Sequence, residues 1–403
     1  MRVAVFTPYL PYPLDTGGKI RSYYLLRALA VRFQVDLYTV YYDRGKPSEA
    51  DIRALQEFCR RVMLLHLQKP WRTRDRLWRL LAPLPRSVDH FQTACSLEQA
   101  RQYLCKGKYD LVVADEICMT PYAELALSLP RVVTRQKVDH LHYRETALAR
   151  PWGLEKALDF IEAAKLRRYE RTKMPLYQAC LACSEQDVAF FRQDAPEIPV
   201  LVIPNGVDLR TFVPSGRSKA EEPTLLYIGS MDYYPNIDAV RFFFETMFKP
   251  IQQAVPNVRV QIVGHDPPSE IQRLARHPGV EVIGTVPDVR SYYDQATVLV
   301  VPLRLGGGTR LKIVEAMAMG LPVVSTTIGA EGLDVHPGED ILIADDAASF
   351  VENVLRLLSD SKLRERIVDA GRLLARRYDW TELTKPYADL AEAVVRQWHQ
   401  KGK

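Results

Sequence analysis

Residues 306–320 read GGGTRLKIVEAMAMG, and their types and spacing suit one kind of chemistry, the holding of a phosphate or diphosphate. Gly306, Gly307 and Gly308 let the backbone turn tightly and come close to a ligand, with Thr309 next in line. The free amide groups and the positive end of the helix that follows then face outward. Arg310 and Lys312 add full positive charges at the same place, and both are good partners for phosphate oxygens. Two cations at a helix start oppose the helix dipole by about 0.3–1 kcal/mol each, a cost that a bound anion offsets. A tight turn followed by a solvated helix start uses the same residue types, and that reading stays beside the phosphate one. No Gly-Lys-Ser/Thr follows, so a triphosphate hydrolase of the P-loop kind is not expected.

The elements that must position these residues can be read around them. Ala296–Pro302 (ATVLVVP) reads as a buried strand before the glycines, and Leu321–Thr326 (LPVVST) as another after the helix. Short apolar runs without alternation recur along the whole chain, as strands buried on both faces require. In the N-terminal half they fall at residues 2–7, 34–40, 62–67, 110–114, 131–134, 179–182 and 200–203, with a glycine turn at Gly17 and Gly18 before a helix over 19–31. After the polar, proline-bearing stretch 214–223 come further strands at 224–228, 259–263, 280–283, 298–301, 323–325 and 340–343. Helices are expected over 237–248, 347–359, 361–378 and 386–399. The pattern predicts an α/β fold of two doubly wound, Rossmann-like domains facing each other across a cleft, with ligands beyond the carboxyl ends of the strands. Gly17, Gly18, Gly229, Gly264 and Gly306 all follow strands and could converge there.

Composition bounds the remaining possibilities. The 403 residues are 47% hydrophobic, enough for at least two cores, and carry a net charge of +5. That mild basicity fits anionic substrates or a membrane surface and gives no call for nucleic acid. The opening MRVAVFTPYLPYP is broken by prolines and lacks the apolar core of a signal peptide, and no run approaches a spanning helix. A cytoplasmic protein, peripheral on the inner face of the membrane, is the expectation. Of six cysteines only Cys180 and Cys183 form a CxxC, in a strand-like setting with no second pair, so reduced buried thiols are expected rather than zinc.

The ordered set PNGVD (Pro204–Asp208), YIGSM (Tyr227–Met231), IVGHDP (Ile262–Pro267), VIGTVPDV (Val282–Val289) and GGGTRLKIVEAMAMGLPVVST resembles the retaining, family-4 glycosyltransferases of the GT-B fold. The loop TGGKIR (Thr16–Arg21) extends the likeness to the first strand. The resemblance implies an acceptor-side domain over 1–207, a nucleotide-sugar domain over 208–383 and a final helix within 384–403 that crosses back. It implies a nucleotide-diphosphate-sugar as donor substrate, with Gly17, Gly18, Gly229, Gly264, His265, Val286, Gly306, Gly307, Gly308, Thr309 and Glu315 on the donor side. The family signature has two glutamates separated by seven residues; Glu315 matches the second, where it would hold the ribose hydroxyls, and Gly307 stands at the first. Relatives place Arg and Lys after the glycine equivalent to Gly229, whereas this chain has Ser230, Met231, Asp232 and Asn236, so Arg310 and Lys312 look like substitutes from the other side. Relatives also carry a His after the strand 131–134; here Gln136 takes that position, and Asp139 takes that of a following Glu.

Arg310 and Lys312 are expected to stabilise the charge that develops on the leaving diphosphate. Asp139 and His140, with His142, are candidates for orienting the donor sugar or the acceptor hydroxyl; a helix capped by Asp139 with surface histidines is the other reading. No Asp-x-Asp occurs, so no metal and no cofactor are expected. Residues 69–86 (KPWRTRDRLWRLLAPLPR) carry six basic residues and one acidic residue interleaved with Trp71 and Trp78, a composition suited to an anionic membrane surface or to a helix packed on its own domain. The expected activity is metal-independent, retaining transfer to a glycan or lipid-linked acceptor of the cell surface. A phosphorylase, a sugar-nucleotide epimerase and a non-catalytic nucleotide-sugar sensor are the alternatives.

Overall fold

The computed structural model describes residues 1–42, 45–67, 82–150, 152–216, 221–231, 233–306 and 310–401, without the side chains of 149 and 401. It divides the chain into two units, Met1–Ile203 with Thr384–Lys403, and Pro204–Leu383.

The first unit is built on strands β1 (Arg2–Thr7), β2 (Gln34–Tyr41), β3 (Arg61–His66), β4 (Leu111–Asp115), β5 (Arg131–Thr134), β6 (Ala179–Ala182) and β7 (Val200–Val202). They form a seven-stranded sheet in the order β3-β2-β1-β4-β5-β6-β7, parallel throughout. Val3, Ala4, Val5 and Phe6 of β1, and Leu111, Val112, Val113 and Ala114 of β4, are buried on both faces, which is why these runs carry no polar alternation. The strand order reverses between β1 and β4, so the switch point of this sheet lies beyond their carboxyl ends. The helix Gly17–Ala30 follows β1 and is capped by Thr16, whose hydroxyl accepts from the Lys19 amide at 3.4 Å. Gly17 and Gly18 therefore form its first turn instead of the loop before it. The last helix, Lys385–Lys401, packs on this one, and Arg32 pairs with Asp389 beside it.

The second unit holds β8 (Thr224–Ile228), β9 (Arg259–Val263), β10 (Val280–Gly284), β11 (Val298–Val301), β12 (Val323–Ser325) and β13 (Leu342–Ile343). They run parallel in the order β10-β9-β8-β11-β12-β13. β13 is confined to two residues: the Asp340 carboxylate is taken by the His336 amide at 2.9 Å, which holds the start of the expected strand in a turn. The switch point here lies between β8 and β11. The chain enters and leaves this unit side by side, with the Val207 amide donating to Tyr378 O at 2.8 Å and the Trp380 amide to Val207 O at 3.1 Å. Gly206 is needed there, since a Cβ would lie 2.5 Å from Tyr378 O.

Candidate functional site

Two glycine-bearing loops flank the switch point of the second unit. Gly229 follows β8 directly, and Gly306 lies in the loop after β11 that leads to the helix Leu311–Ala318. Lys312, in the first turn of that helix, joins the two. Its Nζ donates to Asn236 Oδ1 at 3.1 Å, lies 4.6 Å from the centre of the Tyr227 ring, and would sit 2.9 Å from a Cβ placed on Gly229. Asn236 is itself fixed: its Nδ2 donates to Ser230 O at 2.7 Å, and its Oδ1 accepts from the Tyr227 hydroxyl at 3.0 Å. The absence of a side chain at Gly229 thus makes room for a cation delivered from 83 positions further along the chain.

Burial and the neighbouring Arg310 push the Lys312 ammonium down to about 7, against the pull of Glu315. A lysine poised so near neutrality gains a full charge readily when an anion arrives beside it. Arg310 takes the N-cap position of the same helix without a side-chain bond to it, and its Nη2 donates to Gly306 O at 2.6 Å. Gly306 has φ +91°, a conformation that favours glycine, and a Cβ there would lie 2.7 Å from the Tyr233 hydroxyl. Glu315 is buried one turn further on and accepts from the Tyr293 hydroxyl at 2.8 Å; burial raises its carboxyl to about 6, with Tyr293 and Lys312 opposing. Gly264 closes the floor, since its missing Cβ would lie 1.9 Å from Gly229 O. His265 is exposed and turned to Asp266 at 3.3 Å, while its carbonyl accepts from the Met231 amide at 2.9 Å. Val286 is partly buried against the core of the unit. Gly307, Gly308, Thr309 and Asp232 lie outside the described residues, as does 68–81, the larger part of the basic aromatic segment.

The arrangement can hold an anion between the Gly229 loop and the start of the 311–318 helix, with a buried carboxyl close by. Tyr227, Asn236 and Tyr293 escaped the sequence reading. Asn236 lay in the quoted loop as a departure from the family, but its grip on Lys312 spans 76 positions and has no local signal. Tyr293 had no signal beyond its place in a short helix.

In the first unit, Asp139 is the first residue of the helix Asp139–Ala149, and Val138 takes the cap position without a side-chain bond. Asp139 therefore does not cap. It pairs with buried Arg135 at 2.8 Å, and Arg135 also donates to Glu170 at 2.6 Å. His140 is buried against Glu170 by its Nδ1, with Arg167 Nη1 3.3 Å from its Nε2, so it is no surface histidine. The Glu170 carboxyl is held below its ordinary value by Arg135 and His140 in spite of burial. Burial and Lys137 push His142 down to about 4, leaving it neutral near pH 7. Gln136 donates to the Tyr9 hydroxyl at 3.2 Å and to Gly18 O at 3.4 Å, so the residue at the family's His position meets the glycine pair. All six cysteines are free; Cys59, Cys118, Cys180 and Cys183 are buried, whereas Cys95 and Cys105 are exposed on a helix. Among the described residues no group of three or more His, Cys, Asp or Glu side chains is gathered to hold a metal ion. Among the same residues no helix is long and apolar enough to cross a membrane.

Two Rossmann-like units with these sheet orders define a GT-B fold. The Glycosyltransferase Family 4 model matches residues 16–211, and that of Glycosyl transferases group 1 matches 222–360. The chain has the GT-B fold, and its two halves are related to these two glycosyltransferase families. It is 31% identical over 208 residues to the phosphatidyl-myo-inositol mannosyltransferase of Mycobacterium tuberculosis, a match covering 48% of this chain and 54% of that protein. The chain thus spans about half the length of that curated relative. Among solved structures, the sucrose-phosphate synthase of Thermosynechococcus elongatus superposes with a TM-score of 0.74 at 20% identity, over 98% of this chain and 100% of that one. Anabaena HepE, solved with UDP and glucose, superposes with a TM-score of 0.67 at 15% identity over the same shares.

Proposed function

We propose that this chain is a retaining glycosyltransferase that moves a sugar from a nucleotide-diphosphate-sugar to a glycan or lipid-linked acceptor, without a bound metal. The observation that carries the reading is the position of Lys312, brought from the helix after β11 onto the Gly229 loop at the switch point, where a diphosphate would lie. Arg310 takes the N-cap position of the same helix. Breaking the sugar–phosphate bond leaves extra negative charge on the diphosphate, and fixed cations with the start of a helix stabilise that charge as it forms. Glu315, held by Tyr293, would receive the ribose hydroxyls.

Support for the donor comes from the HepE structure, which holds UDP and glucose on a chain of the same fold. Support for a lipid-linked acceptor comes from the phosphatidyl-myo-inositol mannosyltransferase named above. Retention follows the family pattern. On this reading the protein works in the cytoplasm, peripheral on the inner face of the membrane, building a cell-surface polysaccharide or glycolipid.

The test is transfer of labelled sugar from a panel of UDP-, GDP- and ADP-sugars by the wild-type chain and by Arg310→Ala and Lys312→Ala. Each variant is expected to lose about 10²- to 10³-fold in rate while its circular dichroism stays unchanged. Wild-type rates in both variants would sink the assignment.

A further inference from the structure

The switch point of the first unit carries a second polar site, in which Tyr9 and Glu116, picked out by no motif, join Gly18 and Gln136. Glu116 follows β4 directly and has φ +81° and ψ +156°. That region of backbone space is essentially reserved for glycine, and a side chain held there is strained. Strain of this kind persists where the surroundings over-determine it, and it gathers at ligand sites. The surroundings here are specific. The Glu116 amide donates to Thr134 O at 3.0 Å, and its Oε1 accepts from the Gln136 amide at 3.0 Å. Its Oε2 takes no hydrogen bond among the described residues.

Tyr9, from the loop after β1, completes the group with its hydroxyl on the Gln136 side chain. Gly18 lets that hydroxyl lie against the first turn of the 17–30 helix, since a Cβ on Gly18 would be 2.4 Å from it. Tyr9, Gly18, Glu116 and Gln136 thus meet beyond the carboxyl ends of β1, β4 and β5, where a doubly wound sheet binds ligands.

The charge around Glu116 decides which ligand fits. Asp115, on the same strand, is buried and held by Ser22 and Thr134. Asp139, on the following helix, is paired to Arg135. Arg135 is committed to Asp139 and Glu170, and Lys137 is exposed. Tyr9 and the thiols of Cys118, Cys180 and Cys183 are the remaining titratable groups that interact with Glu116. Two carboxylates near a third carboxyl would repel a phosphate, so this is no second anion site. Burial, Asp139 and Asp115 raise the Glu116 carboxyl to about 8 against Arg135 and Lys137, which keeps it protonated near pH 7. A protonated carboxyl, a phenol and a primary amide together offer donors and acceptors with no net charge, the complement of neighbouring sugar hydroxyls.

We propose that Tyr9, Glu116 and Gln136 form a sugar-hydroxyl site in the first unit, in which the outer oxygen of the Glu116 carboxyl donates a hydrogen bond to a neutral ring hydroxyl. The proposal rests on the transferase reading above, and the sugar is that of the donor or that of the acceptor.

The experiment uses the full chain with Glu116→Gln, Glu116→Ala and Glu116→Gly, with UDP-glucose and GDP-mannose as donors and octyl glucoside as acceptor. Glu116→Ala and Glu116→Gly are expected to turn over about tenfold more slowly, whereas Glu116→Gln, which keeps a donor, stays within about threefold of wild type. Wild-type rates fall as pH rises through 8 and the carboxyl ionises, and the glutamine variant loses that limb. Glu116→Gly, freed of the strain, melts about 2–4 °C higher than wild type. If the donor sugar is the one held, nucleotide release without acceptor slows equally; if the acceptor, only transfer slows and its KM rises. Wild-type rates and KM values in the alanine and glycine variants, or a glutamine variant as slow as alanine with an unchanged pH profile, would overturn the proposal. Thermal shifts by UDP and GDP are expected to be equal in all Glu116 variants and lost in Lys312→Ala. Loss of that contrast marks failure of the donor-site reading instead.

Discussion

Lys312 sits where its protonation state and its ligand are coupled. The free protein holds this ammonium near 7, below its ordinary 10.5, chiefly because burial disfavours the charge. The neutral form is therefore the one the fold prefers. Its contribution to stability is present above about pH 10.5 and is lost as pH falls through 7, so Lys312→Met is expected to gain stability over wild type below neutrality. Glu315 runs the other way: raised to about 6, its carboxyl favours the fold at low pH and loses that contribution as pH climbs through 6. A diphosphate reverses the preference of Lys312. Binding of UDP or GDP at pH 8 is expected to take up about one proton, seen as a dependence of calorimetric heat on buffer ionisation enthalpy, and the uptake is absent in Lys312→Met. The same uptake in that variant would place the proton elsewhere. The placing of Arg310, Lys312 and Glu315 at the start of the helix after β11 was legible because charge next to a glycine run and a helix start has a local cause. Asn236 and Tyr293 were not, because their contacts arise only when the helix after β11 is laid beside the helix that follows β8, which carries Asn236, and the short helix before β11, which carries Tyr293.

At the scale of elements, the strands were read almost to the residue, since parallel strands buried on both faces leave short, unbroken apolar runs bounded by glycine, proline and polar turns. The differences lie where side chains compete with that pattern. Thr16 caps the first helix and draws Gly17 and Gly18 into it, a signal present in the sequence three positions before Lys19. Asp340 holds a turn and shortens the last strand. One of the two readings of the histidine-bearing helix had Asp139 as its cap and the histidines on its surface, but Arg135 and Glu170, far apart in sequence, bury Asp139 and His140 instead. Removing one member of that network leaves charge buried, and Glu170→Gln is expected to cost about 3–5 kcal/mol in urea unfolding. The approach of Gly264 to the Gly229 loop is tighter still. Gly264→Ala puts a methyl group 1.9 Å from Gly229 O, so backbone must move; the expected cost is about 1–3 kcal/mol, together with loss of nucleotide binding. A Gly264→Ala protein with wild-type stability and UDP or GDP affinity would show that the two loops are not coupled.

On the scale of the molecule, each unit places its chemistry at its own switch point, cations and glycines beside β8 and β11, and neutral hydrogen-bonding groups beside β1 and β4. The chain returns to the first unit through Thr384, and the last helix buries Tyr387, Ala391 and Val394 in it, so truncation at residue 383 is expected to destabilise that unit. Two α/β units were legible from the strand pattern, although the polar stretch 214–223 falls inside the second unit, which begins at Pro204; which sugar and which acceptor they serve depends on pocket contacts that no periodicity encodes. On the proposed reading Arg310 and Lys312 hold a nucleoside diphosphate, and thermal denaturation of the full chain with UDP and GDP measures this. At a hundredfold excess over its dissociation constant, the bound nucleotide stabilises the native state by about 2.7 kcal/mol and raises the melting temperature. That rise is predicted for wild type and for Glu116→Gln, and its loss for Arg310→Ala and Lys312→Ala; an undiminished rise in both cation variants would contradict the account.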